Sequence, residues 1–121
     1  VAKHLEFGKQ GEWEAQEFLR TQGYQILQLN WRYKWWEIDI IAKEGDILAF
    51  IEVKSRSSAA YGEPFQFVNV KKQKSLIKAA GVFLKRINHQ GDIRFDIVSI
   101  YSRNGKKDIS LVKDAFWGSY S

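Results

Sequence analysis

The chain has no cysteine among its 121 residues. Disulfide bonds, thiolate metal sites and a cysteine nucleophile are therefore excluded, and the reducing cytoplasm is the expected compartment. Proline occurs once, at Pro64. No apolar run approaches the roughly 18 residues that a membrane span needs, and the N-terminus lacks the shape of a signal peptide. Neither membrane insertion nor secretion is expected. There are no repeats, low-complexity tracts or linkers. Acids are scarce in the second part of the chain, and the stretch from 69 to 88 contains none.

What is present suits one globular domain over 1–121. Hydrophobic residues make up 45% and charged residues 27%, enough for a core without staples. The net charge of +5 is unevenly spread. Residues 1–68 hold 8 Lys/Arg against 10 Asp/Glu, and residues 69–121 hold 11 against 4. An acidic part beside a basic part suits a site that binds a cation and also meets a polyanion. Ordinary surface acids beside a solvated basic helix would give the same imbalance.

The pattern predicts a helix over about 3–22, stopped by Gly23. Strands follow over 24–32, 35–43 and 46–55, the last two joined by a hairpin turn at Glu44-Gly45-Asp46. A loop over 56–67 contains Ser57, Ser58, Gly62 and Pro64. A second helix spans about 69–88. A strand runs over 93–101, Asn104-Gly105 is a turn, and 107–112 reads as a last short strand. This order predicts an α/β fold with one mixed sheet and helices packed on it.

The hairpin carries the candidate chemistry. Side chains alternate along a strand. Glu37, Asp39 and Ile41 therefore share one face, and Leu48, Phe50, Glu52 and Lys54 share one on the next strand. A two-residue loop at Glu44-Gly45 pairs Lys43 with Asp46. That register sets Asp39 opposite Phe50 and Glu37 opposite Glu52. Three carboxylates and a lysine would cluster on one face, although like charges set opposite each other are destabilising. A divalent cation would remove the conflict, and Mg²⁺ is commonly held by one or two carboxylates with waters and a substrate phosphate. Lys54 would then neutralise a phosphoryl transition state or position the attacking water. A solvent-facing hairpin with Lys54 paired to Glu52 is the plain alternative.

The helices add two features. At 100° per residue, Leu5, Gly8, Glu12, Ala15 and Leu19 form a stripe, with Glu12 its one acid. Such a carboxylate needs a cation or a donor. It either joins the acidic cluster or caps a local network. On the second helix Lys71, Lys74, Lys78 and Lys85 fall within an arc of about 60°. Lys72 borders it, where its head could reach the site. The row is either a solvated face or a phosphate-backbone contact. Trp31, Trp35 and Trp36 crowd the start of the hairpin with Arg32 and Lys34. They either stack on unpaired bases or serve core packing or a dimer contact.

An ordered set of motifs runs through nearly the whole chain. Gly8-x-x-Gly11-Glu12-x-x-Ala15 comes first, then Gly23-Tyr24 and Asn30-x-Arg32. Glu37-Ile38-Asp39-Ile40-Ile41-Ala42 is followed, 12 residues after Asp39, by the Glu52 of Ile51-Glu52-Val53-Lys54-Ser55-Arg56. Gly62, Lys72-Gln73, Ala80, Arg94-Phe95-Asp96 and Ala115-Phe116 complete it. In these the chain resembles the YraN-like (UPF0102) proteins, placed with the PD-(D/E)XK nucleases and near Holliday junction resolvases in fold. The resemblance implies a restriction-endonuclease-like α/β domain with an αβββαβ core, a mixed central sheet and two main helices. It implies Asp39, Glu52 and the Val53 carbonyl as ligands of Mg²⁺ or Mn²⁺, and Lys54 as the catalytic lysine. Glu12 would complete the site and Glu37 would support it. Arg56 and Lys72 would lie on the substrate side; beside such a site the helical row of Lys71, Lys74 and Lys78 reads as a nucleic-acid contact. Where the family has a small residue before the second-strand acid, this chain has Trp36, preceded by Trp35.

The expected activity is therefore metal-dependent hydrolysis of DNA phosphodiester bonds, with branched DNA as the substrate by analogy of fold. Cutting both strands of a junction would require a symmetric homodimer. A non-catalytic nucleic-acid-binding module and a tryptophan-rich protein-interaction domain are the alternatives.

Overall fold

The computed structural model describes residues 2–56 and 68–116, with side chains from Gln10 onward. The loop with Gly62 and Pro64, and the side chain of Leu5, lie outside the described residues. Helix α1 covers Ala2–Thr21 and strand β1 covers Tyr24–Tyr33. Strands β2 (Trp36–Glu44) and β3 (Ile47–Arg56) form the hairpin. Helix α2 (Val70–Ile87) leads to β4 (Ile93–Arg103) and β5 (Lys106–Phe116). The strands make one sheet in the order β1-β2-β3-β4-β5. Only β3 and β4 run parallel, and α2 lies in the connection between them. The result is the expected α/β architecture, compatible with a restriction-endonuclease-like fold.

Each helix covers one face of the sheet. Ala15 and Leu19 of α1 pack on Tyr24, Ile40, Ala42, Ala49, Ile51, Val98 and Ile100. Gly11 lets α1 come close, because a Cβ there would stand 2.6 Å from the Ser55 hydroxyl. On the other face Leu76, Ala79, Ala80 and Phe83 of α2 meet Ile41, Leu48, Phe50, Phe95 and Phe116. Two apolar faces explain the near-continuous apolar reading of β2, β3 and β4.

Local chemistry sets the ends. Gly23 leaves α1 at φ +91°, as expected of its stop. Asn69 caps α2, its side-chain oxygen accepting from the Lys72 amide at 2.8 Å. Asn88 closes α2 in the left-handed region. Asn104 and Gly105, both at positive φ, make the two-residue turn between β4 and β5.

Three expectations are corrected. The β2–β3 loop is Gly45-Asp46, because Glu44 pairs with Ile47 and Lys43 with Leu48. Gly45 takes the positive φ, while Arg94 and Lys113 hold Glu44 in the ladder. The move is one residue on each strand, which keeps the alternation over the paired residues Ile40 to Glu44. Beyond them β2 changes face around Asp39, because Trp36 and Ile38 pack on the α2 side with Ile41 while Ile40 and Ala42 pack on the α1 side. Strand β5 is also longer than the sequence pattern predicts, continuing through a bulge at 113–115 to Phe116. Finally, the face shared by Glu37, Asp39 and Glu52 does not hold a cluster of three carboxylates, as the site geometry shows.

A candidate carboxylate and lysine site

The last regular pair of the β2–β3 ladder is Ile40↔Ile51. Asp39 and Glu52 come next in register, so Asp39 opposes Glu52 rather than Phe50. The strands part there. The Val53 amide finds no carbonyl on β2 and donates instead to Asp39 Oδ2 at 2.8 Å. Asp39 thus sits at the fork beside Glu52.

Glu52 is only 5% exposed. Lys72, at the start of α2, brings its ammonium to 3.5 Å from Glu52 Oε2. That is an ion pair without hydrogen-bond geometry, and Oε2 has no hydrogen-bond partner among the described residues. A buried carboxylate oxygen left in this way is costly. Burial first, then the hydrogen bond and charge of Glu52, push the Asp39 carboxyl up to about 8. The Val53 amide and Lys72 pull it down, and they lose. Two adjacent carboxylates, one buried and one half-buried, disfavour joint ionisation. Lys54 follows on the same face of β3, half-buried, with no ion pair among the described residues. The plain alternative of a Lys54–Glu52 pair is thus not what the structure shows, since Lys72 takes that place.

The raised carboxyl has a testable consequence for the metal-free protein. Unfolded, Asp39 gives up its proton near the ordinary value of 3.8, whereas folded it holds it to about 8. Between those values the native state binds the extra proton, so stability falls as pH rises. In EDTA, the melting temperature should drop by several degrees between pH 5 and pH 9. Asp39→Asn should flatten that dependence. Mg²⁺ or Mn²⁺ should restore stability, and most strongly at high pH. A rise in stability over the same range in EDTA would contradict the raised Asp39 carboxyl.

The other expected site residues divide. Glu37 is drawn to Arg32 on β1, at 2.8 Å, and away from the pair. Glu12 is half-buried and accepts from the Asn30 side chain at 3.2 Å. It therefore has the donor its position required, supplied by a local contact. Among the described residues no group of three His, Asp or Glu side chains is arranged to hold a metal ion. The acidic set at the fork is the pair Asp39 and Glu52, with the backbone of Val53 beside it. A shallow concavity of about 430 Å³, lined by Ile47, Asp92, Arg94 and Asp114, lies at the opposite end of β3 and β4. The fork, unlike that concavity, holds two adjacent carboxylates with a lysine following on β3.

Of the basic residues, Lys72 is the one the structure brings to the fork. Lys71, Lys74 and Lys78 are exposed along α2, and Lys72 turns inward to Glu52. Arg56, half-buried two residues beyond Lys54, lies with its guanidinium 5.6 Å from the Tyr101 ring centre. Comparison with known proteins now decides the family. Residues 11–100 match the family described as Uncharacterised protein family UPF0102. The chain belongs to the UPF0102 family. A UPF0102 protein of Christiangramia forsetii is 41% identical over 117 residues, covering 97% of this chain and 98% of that one. One from Chloroherpeton thalassium is 44% identical, covering 93% and 95%. One from Acetivibrio thermocellus is 44% identical, covering 90% and 89%. In this UPF0102 chain, the Asp39–Glu52 fork and Lys54 all fall within the matched residues.

A second polar cluster was not foreseen as a unit. Asp96 is fully buried, yet it accepts from Arg94 Nε, Arg94 Nη2, the Tyr24 hydroxyl and the Asp114 amide, all at 2.8–3.0 Å. Arg94 also reaches Glu44 at 2.8 Å. Lys113 and Arg94 together hold the Glu44 carboxyl below its usual range, and burial beside Asp96 raises the Tyr24 hydroxyl. The sequence carried one clue, an aspartate amid the apolar residues of β4, which required a partner.

Proposed function

We propose that this UPF0102 chain is a metal-dependent endonuclease of the PD-(D/E)XK kind, hydrolysing DNA phosphodiester bonds. The observation that carries the reading is the fork. Two adjacent carboxylates, Glu52 buried and Asp39 half-buried, share a position that stability alone disfavours, and Lys54, with no ion pair among the described residues, follows Glu52 on the same face of β3. The donor set fits a hard divalent cation, Mg²⁺ or Mn²⁺, which Asp39, Glu52 and the Val53 carbonyl would hold. When bound, the ion supplies Lewis-acid charge at the phosphoryl group and a more acidic water.

The chain's own groups supply the rest. Asp39 is held by the Val53 amide, so its orientation is set before any ligand arrives. Lys54 stabilises the charge that develops on the phosphoryl oxygens and orients the attacking water. Lys72 balances Glu52 at the substrate side. Lys71, Lys74 and Lys78 contact phosphates along α2, and Arg56 extends the basic surface past Lys54. Glu12 and Glu37, held by Asn30 and Arg32, act at the rim. Branched DNA remains the natural substrate by analogy of fold, and a homodimer would place two forks on one junction.

The test is cleavage of labelled linear, single-stranded and four-way-junction DNA with Mg²⁺, Mn²⁺ or EDTA, beside Lys54→Ala. Metal-dependent cutting that disappears in Lys54→Ala supports the reading and reveals the substrate. No cutting by a folded, metal-binding protein would leave a nucleic-acid-binding module instead. The α2 surface has its own check. Lys71→Glu with Lys78→Glu should weaken DNA binding and reduce the slope of log K against log salt by about 2. An unchanged slope would move the DNA surface elsewhere.

A further inference from the structure

The β1–β2 hairpin ends in a turn of two residues, Lys34 and Trp35, between the paired Tyr33 and Trp36. Lys34 takes a positive φ of 57° to make it. The structure separates the tryptophans that the sequence left together. Trp31 meets Phe83 edge-on at 5.4 Å, and both Trp31 and Trp36 pack against the α2-side core. Trp35 belongs to neither core and is 80% exposed. Its ring stands 6.0 Å from Trp36, and Trp36 stands 6.0 Å from Tyr33. Core packing therefore explains two of these rings and not the third.

Cations surround the rings. The Lys34 ammonium lies 5.4 Å from the Tyr33 ring centre and 5.9 Å from that of Trp35. Arg86, in the last turn of α2, lies 5.1 Å from Tyr33 and 5.7 Å from Trp31. The acid of this tip, Glu37, is already paired with Arg32. Exposed π-faces set among positive charges match unpaired bases on a phosphate chain. A second copy of the same tip is a poor fit, because it would bring Arg32, Lys34 and Arg86 against themselves. The tip is on the α2 side, as the fork is, and Trp36 precedes Asp39 by three residues, roughly 10 Å along β2.

We propose that the Tyr33–Trp36 tip is a stacking platform for unpaired bases, with Trp35 as its free face, which holds single-stranded DNA a few nucleotides from the fork. The platform deepens the nuclease reading and rests on it for the substrate class. Its test is done in EDTA, where no cutting occurs. Binding of a labelled oligothymidylate and of a blunt duplex of equal length is followed by anisotropy for the wild type, Trp35→Ala and Trp35→Phe. Because Trp35 is exposed, neither variant disturbs the core. Trp35→Ala should weaken oligothymidylate binding about tenfold or more, with little effect on the duplex, and Trp35→Phe should recover most of the loss. Unchanged oligothymidylate affinity in Trp35→Ala, or equal loss on both ligands, would overturn the platform. So would a Trp35→Ala change from dimer to monomer in sedimentation with single-strand affinity intact, which would make the tip a contact between copies. The two readings fail separately. Trp35-dependent single-strand binding without cleavage in Mg²⁺ sinks the nuclease and keeps the platform. Lys54-dependent cleavage with Trp35-independent binding does the reverse.

Discussion

Glu52→Gln is expected to lower metal-dependent cleavage by about three orders of magnitude or more and, at the same time, to stabilise the metal-free protein above pH 8. The two effects share one cause. Glu52 is 5% exposed, and its Oε2 lacks a hydrogen bond. Its one ion pair is to Lys72, which is 39% exposed and stands at 3.5 Å. A pair of that kind contributes little, so its loss costs little. The burial of a charge beside Asp39 costs more. Replacing that charge by an amide of the same shape should relieve roughly 1–2 kcal/mol. It should also let the Asp39 carboxyl fall back toward its ordinary range, so the pH dependence of stability shrinks. Removing the anion takes away half of the carboxylate pair proposed to hold the ion, so calorimetric binding of Mn²⁺ should be lost with cleavage. Melting curves in EDTA at pH 9 and single-turnover cleavage at saturating enzyme read the two effects independently. A Glu52→Gln protein that cleaves normally, or that melts well below the wild type, would mean that Glu52 is held by its fold partners and not by its chemistry.

The alternation of β3 was legible in the sequence, and the register of the hairpin was not. Alternation sets Glu52 and Lys54 on one face of β3, but on β2 it breaks around Asp39, where Trp36 and Ile38 join Ile41 on the α2 side and Ile40 and Ala42 face α1. The slip of one residue on both strands leaves the parity of the paired residues intact. It does change who stands opposite whom. The slip depended on contacts remote in sequence, since Arg94 and Lys113 hold Glu44 in the ladder. Lys72 was legible as a border residue because helical angles locate it, and the structure brings it to Glu52. The partners of Glu37 and Glu12 were hidden for a common reason. Each has a closer partner on β1, Arg32 and Asn30, and cross-strand neighbours cannot be counted before the register is known. The length of β5 was hidden by its bulge. Asp114 sits at φ +55° there and turns its amide to Asp96, which breaks the period-two pattern before Phe116 resumes it against Phe95.

Asp96→Ala is expected to cost about 3–5 kcal/mol, a large share of the roughly 5–15 kcal/mol that holds a domain together. The melting temperature should fall by roughly 10–20 °C. Asp96 is 0% exposed and accepts four hydrogen bonds from three elements: Arg94 of its own strand, Tyr24 of β1 and Asp114 in the β5 bulge. Truncation leaves Arg94, itself only 13% exposed, with Glu44 as its remaining anion. The main penalty is thus the stranded guanidinium rather than the lost bonds. Two further variants separate these terms. Asp96→Asn keeps the shape and the acceptor and should fall between the wild type and Asp96→Ala. Arg94→Leu added to Asp96→Ala removes the stranded cation and should recover part of the loss, so the two substitutions should be less than additive. The cluster is offset from the fork, since Arg94 lies beside Ala49 in the ladder and Ile97 beside Glu52. Molecules of Asp96→Ala that remain folded at low temperature should therefore bind Mn²⁺ as the wild type does. Full additivity of Arg94→Leu and Asp96→Ala would show that the two side chains act apart. A loss of Mn²⁺ binding in the folded fraction would tie the cluster to the fork through β4.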